Sequence, residues 1–155
     1  MVDNNDVIAI LNELIETSKD GEEGFRSSAG HVDDARLRDF FLCRSKEVGE
    51  GVRELQALVT SLGGVPVNAT SIGGTLHRRW IDLKTALTAN DNLAVLNETE
   101  RGEDVALAAY REALEIDLPQ DIRTIVIRQL EGVKRNHDLV KQLRDVFDAE
   151  AAVHS

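Results

Sequence analysis

The chain has 155 residues, 42% of them hydrophobic and 30% charged, with a net charge of −10, which suffices for one globular domain with a sizeable core and leaves no room for a second. That negative charge excludes nucleic acid and anionic membrane as expected partners, because polyphosphate surfaces select clustered Lys and Arg. The lone cysteine, Cys43, excludes an intrachain disulfide, and with no signal-like segment or membrane-length apolar run the expected compartment is the reducing cytoplasm.

Two prolines, Pro66 and Pro119, leave long stretches filled by Ala, Leu, Glu, Asp, Arg and Val, a composition that favours helices over strands. Ile8, Leu11, Ile15, Phe25 and Ala29 recur at three- and four-residue spacing and predict a first helix over about residues 4–30. After a short turn, Asp33 or Asp34 caps a second helix over 33–62, whose inner face reads Phe41, Val48, Val52, Leu55, Val59 and Leu62 and which stops at Gly63-Gly64. Residues 63–90 begin turn-rich and then predict a short helix over about 75–88, a connector and not a core element. A third long helix over 91–116 carries Leu96, Ala106, Tyr110 and Leu114. Pro119 starts a fourth over 120–149, with Ile122, Val126, Val133, Val140 and Phe147 inward and residues 151–155 as a frayed tail. Helices of this length run roughly 40 Å, and the connector is long enough to return along them. Two tight hairpins joined by a long crossover predict an all-α, antiparallel four-helix bundle of ferritin-like topology in one domain, 1–150.

The informative positions are polar residues on stripes that should be apolar. Glu22 falls between Ser18 and Phe25, Glu103 between Thr99 and Ala106 with Glu100 one turn earlier, and His137 between Val133 and Val140. Reflection of the second hairpin about Leu118 brings Glu103, Glu100 and His137 within about one turn of each other. Reflection of the first about His31 or Val32 sets Glu22 opposite Phe41 or Leu42, with Glu47, Glu50 and Glu54 as second-helix candidates; Glu47, on the edge of its stripe, is preferred. Gly21, Gly24, Gly49, Gly51, Gly102 and Gly132 lie inside predicted helices at the same level, each costing about 0.5–1 kcal/mol relative to Ala. Such a glycine waist means either close helix approach or space kept between the helices.

Buried carboxylates need a compensating cation, a shared proton or basic partners. Carboxylate and imidazole donors suit iron, manganese or zinc, which makes Glu22, Glu47, Glu100, Glu103 and His137 the expected ligands of a divalent metal ion. Salt bridges from Arg26, Arg53, Arg101 or Lys134 are the structural alternative.

The segments GGTLHRRWIDLKTALT and ERGEDVALAAYREALE, with LIETSKDGEEGF and HDLVKQLRD, resemble the bacterial ferritin-like family called domain of unknown function 2383 over nearly the whole chain. The resemblance implies the fold; that family has no established activity. Di-iron bundles use a Glu on two helices and Glu-x-x-His on the other two. No Glu-x-x-His occurs here, and Lys134 stands both three residues before His137 and three after Glu131, which disfavours a ferroxidase. Trp80, near His77, is expected to clamp the crossover onto the bundle, Cys43 to be a partly buried structural thiol, and Tyr110 to pack in the core with its hydroxyl satisfied. The expected function is thus non-enzymatic, a ferritin-like bundle that binds a metal in stress or metal homeostasis. The alternative is an interaction or oligomerisation module with a structural polar core. In either case exposed apolar positions such as Leu14, Leu58 and Ile125 point to a homo-dimer or higher homo-oligomer.

Overall fold

A computed structural model describes residues 2–68 and 91–153. Among them are four helices and no strand: α1 (Asn4–Ala29), α2 (Ala35–Ser61), α3 (Asn92–Leu114) and α4 (Gln120–Val153). The crossover's expected helix, with His77 and Trp80, lies outside the described residues, as does His154.

The first three helices begin, and the second ends, for a local reason. Asp3 caps α1 in a reciprocal box, its carboxylate accepting from the Asp6 N–H at 2.9 Å while Asp6 accepts from the Asp3 N–H, which satisfies two orphan donors of the first turn. Asp34 accepts from the Arg36 N–H, and Asp91 from those of Leu93 and Ala94. At the end of α2, Gly63 takes φ +83° and the Gly64 N–H reaches back to the Val59 carbonyl, a left-handed stop that L side chains rarely adopt. α4 continues past the expected end at 149, because its last residues include three alanines with no glycine or proline to break it.

α1 packs along α2 and against α3, α3 packs along α4, and of the neighbouring pairs α2 and α4 approach one another least closely. The bundle is therefore a square of helices open along one side. The start of the crossover is pinned to this frame: Asn12 bonds both the Val65 carbonyl and the Val67 N–H, and Gln56 donates to the Val67 carbonyl.

The core divides in two. Val7, Leu11, Ile15, Val52, Leu55, Leu107, Ile122 and Val126 fill one end, and Phe25, Leu37, Phe41, Val95, Leu96, Val140 and Phe147 the other. Between them the buried residues turn polar: Ser18, Arg44, Ser45, Thr99, Glu103 and Asn136. Leu14, expected on an outer edge, is in the core, and Leu58 packs partly buried against it.

Candidate functional site

At this polar waist lies a cavity of about 450 Å³, to which every helix contributes a glycine: Gly21, Gly51, Gly102 and Gly132. Its rim includes Glu47, Glu50, Arg128 and Arg135, all exposed, on the facing sides of α2 and α4. The open side of the square is thus the way in.

The waist glycines are of two kinds. A Cβ on Gly49 would fall 2.0 Å from the Glu22 carboxylate, so there a side chain of α1 lies directly on the backbone of α2. A Cβ on Gly21 would meet nothing nearer than Val48 at 3.9 Å, and one on Gly132 nothing nearer than the end of Arg135 at 3.6 Å. Alanine would fit at both and favour the helix. Packing does not require glycine there; open space beside the cavity does.

Glu103 is the deepest acid of the site, 3% exposed. Its carboxylate accepts a hydrogen bond from the Asn136 amide and faces the Arg44 guanidinium, whose Nε is 3.8 Å from Oε1. Burial pushes the Glu103 carboxyl up to about 7, desolvation outweighing the opposing pull of Arg44, Asn136 and His137. Arg44 is itself 8% exposed, stacks toward the Phe25 ring at 5.9 Å, and touches Glu47 through Nη1 at 3.4 Å. Its Nε is buried without a hydrogen-bond partner. Deeper in the wall, the Tyr110 hydroxyl donates to Gln129 at 2.8 Å and sits 3.1 Å from the Ser18 hydroxyl, while the Gln129 amide donates to Glu54 and to the Gly51 carbonyl.

The five expected ligands are not gathered into one set. Glu103 points inward as expected. Glu47 is exposed and engaged by Arg44. Glu22 lies over Gly49, its backbone carbonyl accepting from Ser45, about one turn further along α2 than reflection about His31 predicts. Glu100 is paired with Arg144, and His137 Nε2 lies 2.7 Å from Asp104 and 4.0 Å from Glu100 on the outer α3–α4 seam. Among the described residues no group of three or more His, Cys, Asp or Glu side chains is placed to hold a metal ion. A di-metal centre of the ferritin type does not fit this arrangement, because a guanidinium already lies between the α2 and α3 carboxylates.

Sequence reasoning missed Arg44 and Asn136. Both carried a signal. Leu37, Phe41, Arg44 and Val48 step by four, three and four, which puts Arg44 on the core stripe. Between Val133 and Val140 the stripe admits either Asn136 or His137; the structure turns Asn136 inward, 5% exposed, and His137 to the edge. Cys43, expected to be partly buried, is exposed, its Sγ facing Glu47. Tyr110 is buried with its hydroxyl satisfied, as expected.

Residues 6–116 match the family described as Domain of unknown function (DUF2383). The chain belongs to that family. Solved structures with a related fold add to this. A dodecameric thioferritin, the bacterioferritin-related protein from Bacteroides fragilis, superposes with a TM-score of 0.76 over 97% of this chain and 92% of its own, at 18% identity. A Dps1 mutant from Mycobacterium smegmatis superposes with a TM-score of 0.76 over 93% of this chain and 99% of its own, at 14% identity. At such identities the likeness establishes the ferritin-like fold. No curated protein matches. No described helix is long and apolar enough to cross a membrane.

Proposed function

We propose that this DUF2383 protein is a non-catalytic, ferritin-like binding bundle that takes a small organic molecule into its waist cavity, with Arg44 as the fixed cation of its core. The observation that carries this reading is the cavity itself, about 450 Å³ and reached between α2 and α4, a volume within the range of small-molecule sites. Glycines that packing does not need border it, and a buried guanidinium whose Nε makes no hydrogen bond lines it.

The test is to denature protein purified without chelators, identify released small molecules by mass spectrometry, and determine metal content on the same sample. An organic molecule near one per chain, absent from a Gly132→Leu variant that fills the cavity, is expected. Stoichiometric iron, manganese or zinc that disappears in Glu103→Ala would overturn the reading in favour of a metal site built on Glu22, Glu47, Glu100, Glu103 and His137.

We also infer that the chain forms a homo-oligomer. Leu42, Leu139 and Val146 are each about half exposed, apolar area that a partner would cover. The thioferritin that shares the fold is dodecameric.

A further inference from the structure

We propose that the waist cavity accepts a small carboxylic acid, its carboxylate on the Arg44 guanidinium and its apolar body against Phe25, Val48, Ala106 and Val133. This rests on the reading of the cavity as a binding site and adds the chemistry of the ligand.

The unmet hydrogen-bonding capacity in the cavity wall belongs to a donor. A guanidinium offers five N–H groups in a planar fork. Nη1 of Arg44 is engaged by Glu47 at 3.4 Å, and Nε makes no hydrogen bond, its ion-pair partner Glu103 standing off at 3.8 Å. A buried guanidinium held at such long distances is costly, and a ligand acceptor would relieve that cost. The inner polar neighbours are already occupied. Glu103 accepts from Asn136, Glu54 from Gln129 and Arg128, and the Tyr110 hydroxyl is held between Ser18 and Gln129. At the depth of Arg44 a cationic head would therefore meet carboxylates in use and a guanidinium that repels it, whereas a carboxylate matches the fork geometry of that guanidinium. Phe25, Val48, Ala106 and Val133, which line the same space, suit an apolar body.

Three ligands with one body and different heads separate the claims: 3-phenylpropionate, 3-phenylpropanol and 3-phenylpropylamine, titrated calorimetrically into the full-length protein. The acid is expected to bind at least about tenfold more tightly than the alcohol or the amine, the ratio of one charge-assisted hydrogen bond. Arg44→Met should abolish that preference. Because a core variant can fail to fold, Glu47→Gln is the second probe: Glu47 is exposed, and its loss as a competing acceptor should tighten acid binding several-fold. Equal or better binding of the alcohol or amine overturns the carboxylate assignment and leaves the cavity reading standing. No binding of any of the three, with Gly132→Leu indistinguishable from the natural protein, overturns both.

Discussion

Glu103 and Arg44 hold most of the waist's electrostatic tension, and its sign is measurable. The Glu103 carboxyl rises from an ordinary 4.5 to about 7 in the folded protein, so the folded state keeps that proton more tightly than the unfolded chain. Its contribution to stability is full below about pH 4.5, declines as pH rises, and is gone above about pH 7. The difference corresponds to on the order of 3 kcal/mol. Glu103→Gln, neutral at every pH, should lose this dependence: in urea unfolding, the natural protein is expected to fall relative to the variant between about pH 5 and about pH 8. Parallel curves would show that the carboxyl titrates normally. Tyr110 belongs to the same layer, and burial pushes its phenol up, so it keeps its proton and remains the donor to Gln129.

At the scale of the helix, caps and glycines act in opposite directions. Asp91 satisfies two N–H groups at the start of α3, and Asp91→Ala is expected to lower stability by about 1 kcal/mol. Gly21→Ala and Gly132→Ala should each raise it by about 0.5–1 kcal/mol, since neither new methyl meets an atom closer than ordinary contact. Gly49→Ala should give none of that gain, because the Glu22 carboxylate must turn away. Thermal melts of the three glycine variants distinguish space held open from close helix approach; a loss at Gly21 and Gly132 as large as at Gly49 would mean that packing explains all of them. The weak contact between α2 and α4 is the element-level cause of the open side. What bridges it near the waist is polar: Arg128 to Glu54, and Gln129 to both Glu54 and Gly51.

Across the whole molecule, two apolar clusters bracket the waist and carry the fold without it. A bundle so arranged tolerates an unfilled middle layer, because burial at each end supplies the stability. The contact of the proposed homo-oligomer is expected away from the cavity. Leu42 on α2 and Leu139 and Val146 on α4 are exposed beside the Phe25–Phe41–Phe147 end. Leu139→Glu with Val146→Glu is expected to reduce the particle mass measured by light scattering while the far-ultraviolet circular dichroism stays helical. An unchanged mass would place the subunit contact elsewhere.

Much of this was legible in the residues themselves. Helical period, caps at Asp3, Asp34 and Asp91, and the stop at Gly63 are local properties of the chain, set within a turn or two by backbone hydrogen bonding and side-chain spacing. They determined the four helices, their hairpin pairing and the level of the polar waist. The choice between neighbours on a stripe was not local. Spacing alone admits Asn136 or His137 and does not distinguish a glycine that lets helices touch from one that leaves room. Rotation of each helix about its axis decides both, and that rotation is set by packing against its two neighbouring helices at once. The tertiary structure alone therefore decided that an arginine faces Glu103 from α2, that His137 turns to the seam, and that a cavity remains between them and the open side of the bundle.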